Sequence, residues 1–280
     1  MTKTQGRYVL KGIQVREENG RAYLDVQHLD GKISFFAQAN GPNTYVNVAQ
    51  ALDEANLEQP TMAQNVSLVY SAWEVPEEQY SREIINILNS SRLWGFNGIL
   101  SSPKSKGAFI QDRPSIKNGK IIMDESELES KLGSNEENRV VYSNDKTIRF
   151  VPFGYKLGAQ KASELEKNPF VIALAGEEGA EKLAKVSKNY RYRSCVFNFN
   201  EVSEPLIRVS SLGSVGGYVG GLGLVGYLGD GRVGCASGVF KNGQSPRENF
   251  SEQMKEEEIP IDKSELLKIY NQLGRLLGKQ

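Results

Sequence analysis

The residues able to carry out chemistry are few. The 280-residue chain has one histidine, His28, and two cysteines, Cys195 and Cys235. Imidazole is the commonest side-chain base near neutral pH and the commonest transition-metal ligand, so a serine or cysteine nucleophile paired with histidine has to run through His28. One histidine and two distant cysteines do not give the ligand spacing of a zinc site, so no metal is expected. His28 comes just before the turn Asp30-Gly31, which places it at a strand end on the surface. The cysteines read as buried, reduced thiols.

Carboxylates offer a second chemistry. Asp112, Asp124, Glu125, Asp145 and the pair Glu177-Glu178 fall near element ends, where sites are often built. Acids at helix starts are also what capping and the helix dipole require. A carboxylate-dependent enzyme is therefore the third reading of this chain, after two binding functions.

The most distinctive stretch is Val209 to Gly229, which holds eight glycines and no charge. Within it, Gly221-Leu222-Gly223-Leu224-Val225-Gly226 matches the dinucleotide-binding pattern. That pattern works only when a helix follows, so that its N-terminus meets the pyrophosphate. Gly229, Gly231 and Gly234 follow instead, each costing about 1 kcal/mol inside a helix. No Gly-Lys-Ser/Thr sequence is present to make a phosphate loop, and no cofactor is expected. Gly213, Gly217 and Gly221 recur every four residues in a run long enough to cross a bilayer. Interspersed serines and the glycines themselves keep its hydropathy modest, which argues against a span.

Packed β-structure remains. A hairpin closed by Asp230-Gly231 would set Leu228 opposite Val233, Gly226 opposite Cys235 and Leu222 opposite Val239. Glycines within strands mark close approach by another backbone. Gly217, Gly221 and Gly226, with Asp230 and Gly231 at the turn, are the expected close-packing residues, against this chain, a second subunit or a ligand.

Tyr190-Arg191-Tyr192-Arg193 is the nucleic-acid candidate. In a strand the tyrosines would share one face and the arginines the other, and aromatics that stack bases beside phosphate-binding arginines are what single-strand sites use. Lys104 and Lys106 near Phe109 make a smaller basic-aromatic cluster.

The elements that position these residues are legible in outline. Tyr8 to Val15, Arg21 to Val26 and Ile33 to Ala37 are separated by Asn19-Gly20 and Asp30-Gly31, which predicts a three-stranded meander. Its middle strand alternates Ala22, Leu24 and Val26 with Tyr23, Asp25 and Gln27, as for one buried and one wet face. Helices are expected over Tyr45 to Ala55, from Pro60 to Trp73, and from Pro76 to Leu88. Strands follow over Leu93 to Leu100, Ala108 to Gln111 and Lys120 to Met123, then a short helix over Asp124 to Leu132. Asn144-Asp145 joins two more strands. Ala159 to Lys167 reads as helical, as does Pro169 to Gly176 behind an Asn168 cap, then Glu177 to Asn189, before a strand over Arg193 to Phe199.

These elements predict an α+β fold of mixed, mainly antiparallel sheets with packed helices and a C-terminal amphipathic helix. One α+β unit covers residues 1–91 and a second, with the Gly-rich hairpin, residues 92–240. Residues 241–280 form a polar linker and a helix over Asp262 to Leu277. Thirty-four basic and 34 acidic residues cancel, so no global field draws the chain to nucleic acid or membrane. Met1 to Arg7 lacks the apolar core of a secretory signal, so a cytoplasmic location is expected. The leading functional reading is a noncatalytic binding or assembly protein, with a protein partner or a second copy engaged through the Gly-rich hairpin or the C-terminal helix. A single-stranded nucleic-acid-binding protein is second, and a membrane partner is not expected.

Overall fold

A computed structural model describes residues 11–18, 20–214, 221–228 and 232–240. The chain divides into two units, Met1–Phe240 and Lys241–Gln280. The second, with the expected linker and C-terminal helix, lies outside the described residues, as do Gly217, Asp230 and Gly231.

The described residues open with an antiparallel meander of β1 (Gln14–Glu18), β2 (Arg21–His28) and β3 (Gly31–Phe36), in which the first strand lies later than the expected Tyr8 to Val15, whose residues 8–10 are outside the described ones. Its second face is not wet: Tyr23 and Asp25 are as buried as Leu24 and Val26. Long side chains cover them. Arg16 lies 4.9 Å from the Tyr23 ring centroid, and the Phe240 ring lies 4.9 Å away. Asp25 accepts from Lys32 Nζ at 2.7 Å and from Ser34 Oγ at 2.5 Å, and pairs with Arg16 at 3.4 Å. These contacts replace the water that a buried carboxylate would otherwise lose.

After β4 (Asn40–Asn43) come α1 (Tyr45–Glu54), α2 (Met62–Glu74) and α3 (Gln79–Ser90). Thr44 caps α1, and Thr61 with Gln64 forms a reciprocal capping box on α2. The long strand β5 (Arg92–Ser102) is followed by β6 (Gly107–Asp112), the small hairpin β7 (Ile116–Lys117) and β8 (Lys120–Ile121), and α4 (Glu125–Lys131), capped by Asp124. Next come β9 (Leu132–Glu137), β10 (Val140–Ser143), β11 (Ile148–Pro152) and β12 (Gly158–Gln160).

The helix expected over Ala159 to Lys167 is shorter, with only α5 (Ala162–Leu165) helical because Gly158 to Gln160 pairs with β13 (Ser194–Phe197). Between them runs α6 (Pro169–Ser187), in which Asn168 accepts from the Phe170 amide and Pro169 opens the first turn. Gly176, at φ 76°, breaks its helical geometry at the point where the sequence ends one helix and starts another. β14 (Leu206–Ser214), β15 (Leu222–Tyr227) and β16 (Gly234–Ala236) complete the described part.

The described part of the Gly-rich segment is largely β-structure, but its partner differs from the expected one. β15 runs antiparallel to β14, with Gly226 opposite Ser210 and Leu222 opposite Ser214, and parallel to β13 on its other side. β16 pairs instead with β4 and, at Cys235, with Leu93 of β5, while Val239 bridges to Phe35 and Glu58. A hairpin between β15 and β16 would satisfy one edge of β15, whereas the central position satisfies both. The main sheet runs β12-β13-β15-β14-β5-β6-β11-β10-β9.

One face of this sheet presents Leu93, Leu212, Leu222 and Leu224 to Met62, Val66 and Phe170, in a cluster that also takes in Leu24, Val26 and Phe35 of the meander. The segments on either side of Ser91 therefore share one core. Trp94, Phe96 and Val209 pack with Tyr45, Val48 and Leu52 of α1 in a separate cluster. Among the described residues no helix is long and apolar enough to cross a membrane.

Candidate anion-binding site

The residues that come together at the end of β15 are basic and aromatic. Tyr227 closes that strand, and its ring sits edge-on to Trp94 at 5.9 Å and 89°. Arg92 lies 4.5 Å from the ring centroid and Arg232 lies 6.0 Å away. Trp94 is fixed in turn by donating its indole N–H to the Asn43 carbonyl at 3.1 Å.

Glycine makes this packing possible. A Cβ on Gly234 would lie 2.7 Å from Arg92 Cγ and 2.9 Å from Trp94 Nε1. One on Gly226 would lie 2.6 Å from the Asn198 carbonyl oxygen and 3.0 Å from Arg208 Cδ. One on Gly213 would lie 2.6 Å from the Ser91 oxygen, and one on Gly238 the same distance from Leu57 Cβ. The neighbours that use the missing side chains at these four positions belong to this chain. Gly221 is buried at the start of β15.

Beside Tyr227 opens a cleft of about 390 Å³ lined by Asn198, Leu206, Arg208, Tyr227, Leu228 and Arg232, with Gly226 at its wall. None of these is acidic. Among the described residues, no ion pair engages Arg92, Arg208 or Arg232, whereas Arg16, Arg113 and Arg149 each have a carboxylate. Arg208 is partly buried, donates to Ser101 Oγ at 3.4 Å, and has its pKa pulled below the ordinary value by loss of solvent. One guanidinium nitrogen of Arg92 is fully buried with no hydrogen-bond partner. A desolvated cation without a counter-charge is unfavourable until an anion arrives, and a guanidinium fork suits carboxylate or phosphate oxygens.

No protein family matches the sequence, and no curated protein does. One solved structure, from work on the accommodation of massive sequence variation in Nanoarchaeota by the C-type lectin fold, is similar at a TM-score of 0.48 and 15% identity, over 72% of this chain and 97% of that one.

The nucleic-acid candidate is not a strand. Residues 190–192 form a bend, and β13 starts only at Ser194. Tyr190 packs edge-on against Trp73 at 5.7 Å, and burial pushes its phenol up to about 12. Arg191, Tyr192 and Arg193 are exposed, with Arg191 lying 5.5 Å from the Tyr192 ring centroid. Because β13 runs parallel to β15, Arg193 lies near the start of β15 and Asn198 near its end, about 17 Å apart at the usual rise of a strand. Phe109 is buried against Phe150, so the Lys104 and Lys106 cluster has no free ring.

Each acid offered by the sequence has a structural partner. Asp112 is paired with Arg149 and accepts from Asn97, whose own carbonyl accepts from the Met62 amide at the start of α2. Asp124 caps α4, and Glu125 accepts from Ser102 and Ser105, which lower its pKa against the opposing effect of burial. Asp145 is held down to about 2 by Ser143 and Thr147 in its turn. Glu177 meets Asn138, and Glu178 pairs with Lys182. Among the described residues there is no group of three or more His, Cys, Asp and Glu side chains placed for a metal.

His28 ends β2, as expected, but is only partly exposed. Its Nδ1 lies 2.9 Å from Ser67 Oγ, and burial lowers its pKa, with the nearby Lys182 charge adding to the effect. Ser67 is buried within α2, so this pair ties β2 to the helical layer.

Sequence reasoning passed over Arg92, Asn198, Arg208, Tyr227 and Arg232. One signal was present: the uncharged Gly-rich run ends at Arg208 on one side and Asp230 and Arg232 on the other.

Proposed function

We propose that this chain is a noncatalytic binding protein that takes an anionic ligand in the cleft between Arg208 and Arg232. The observation that supports it is a cleft holding two arginines in which, among the described residues, no acid lines the wall and no carboxylate pairs with either guanidinium. The volume of about 390 Å³ is in the range of small-molecule sites. The test is titration of the whole chain with inorganic phosphate and with pyrophosphate at low salt, followed by amide chemical shifts. Signals from Asn198, Gly226, Tyr227 and Leu228 should move saturably, and Arg208→Gln and Arg232→Gln should each weaken binding about tenfold. Shifts that are absent, or unchanged in both variants, would refute the reading.

A second reading is a single-stranded nucleic-acid-binding protein that uses Tyr190, Arg191, Tyr192 and Arg193. It is supported by the exposed segment in which Arg191 and Arg193 flank Tyr192 in sequence. It predicts salt-sensitive binding of a fluorescent oligonucleotide that is lost when both arginines become alanine. Absence of binding at low salt would remove it.

A further inference from the structure

The cleft that holds the two arginines is also apolar at its mouth. Leu206 and Leu228 line it with the Tyr227 ring, and Leu228 is 60% exposed. Val233, which follows Arg232 directly, is 48% exposed. Leu228 and Val233 are two of the six exposed large hydrophobic side chains among the described residues. Isolated exposed leucines need no explanation, but Leu228 lines the same cleft as Arg208 and Arg232. The site therefore combines a cationic floor with an apolar rim, the usual composition of a pocket that orients an organic ligand through a few polar groups.

The charge of the ligand follows from the floor. Two guanidiniums without carboxylate partners among the described residues call for a negatively charged ligand, and a phosphate monoester, carrying nearly two negative charges and three acceptor oxygens, answers them better than a single carboxylate. Asn198, whose amide nitrogen already donates to the Gly226 carbonyl at 3.2 Å, is held in place at the edge of that floor.

Building on the anion-binding reading, we infer that the ligand of this cleft is a small organic phosphate monoester whose apolar body lies against Leu206 and Leu228 while its phosphate meets Arg208 and Arg232. Inorganic phosphate fills only the floor. An apolar body that removes roughly 55 Å² of surface from water adds a factor of about ten in affinity.

The experiment compares inorganic phosphate, phenyl phosphate and benzyl alcohol as probes on the full chain and on Leu228→Asn. Leu228 is largely exposed, so the variant is expected to fold, which its thermal unfolding checks. Phenyl phosphate should bind about tenfold more tightly than inorganic phosphate, Leu228→Asn should remove most of that advantage, and benzyl alcohol should not bind. Phenyl phosphate no tighter than inorganic phosphate, or an advantage that survives in Leu228→Asn, overturns the organic ligand and leaves the anion site standing. Failure of both phosphates to bind overturns the two together. Binding of phenyl phosphate that is insensitive to Arg208→Gln and Arg232→Gln places it elsewhere and also refutes the inference.

Discussion

Lys182 and His28 meet through a single hydroxyl oxygen: Lys182 Nζ donates to Ser67 Oγ at 3.0 Å, and His28 Nδ1 lies 2.9 Å from the same atom. Lys182 has only protons to give, so Ser67 Oγ accepts from it and keeps both a proton to donate to His28 Nδ1 and a second lone pair to accept from it. Three elements, β2, α2 and α6, are joined at this point.

The first prediction concerns acid. The folded-state pKa of His28 is lowered from its ordinary 6.5. The unfolded chain therefore takes up this proton first as pH falls, and the contribution to stability, complete above about 6.5, is lost as pH drops towards the folded value. Urea unfolding from pH 8 to pH 5 should show decreasing stability, with a slope of at most about 1.4 kcal/mol per pH unit from this group. His28→Gln should flatten that part of the profile. A profile identical to the parent would show that the ring does not carry it.

Because the chain has one histidine, its imidazole gives one set of titrating proton resonances. The Lys182 charge lowers the His28 pKa, and Glu178 opposes that effect. Lys182→Met should raise the titration midpoint, and should cost about 1–3 kcal/mol because the Gln27 carbonyl and Ser67 lose their donor. An unmoved midpoint would contradict the coupling.

The Arg149–Asp112 pair is nearly buried, and Asp112 also holds Asn97, which caps the start of α2. Arg149→Leu strands that carboxylate and should cost about 3–5 kcal/mol in chemical denaturation. Adding Asp112→Asn should recover part of the loss, since the uncompensated charge is then gone.

Gly238→Ala puts a methyl 2.6 Å from Leu57 Cβ and should destabilise by about 1–3 kcal/mol. Gly31→Ala meets nothing within 4 Å and should change stability by about 0.5 kcal/mol or less. Equal effects at the two positions would show that backbone entropy and not crowding governs them.

Where the sequence signal is local, it is legible. Asn168-Pro169 and Gly176 mark the ends of a helical stretch by cap chemistry and positive φ, and the meander follows from its two Gly-containing turns. Where the decision is made across the chain, it is not. Nothing near Gly226 says that Ser210, and not Cys235, lies opposite it, because both choices satisfy strand alternation. Burial of Asp25 depends on Lys32 and Arg16 reaching across neighbouring strands, and burial of His28 on a serine in α2. The two arginines of the cleft come from β14 and the segment before β16, so no short motif contains them.

The placement of β14 between β5 and β15 bears on synthesis. Arg92–Ser102 acquires its partner Leu206–Ser214 only after about 100 further residues have been made. Until then β5 can pair with β6, but its other border is an open template in a half-finished chain. Premature termination ahead of Leu206 should therefore yield aggregates and not a smaller folded protein, and nascent chains stalled in that window should be the ones that engage chaperones.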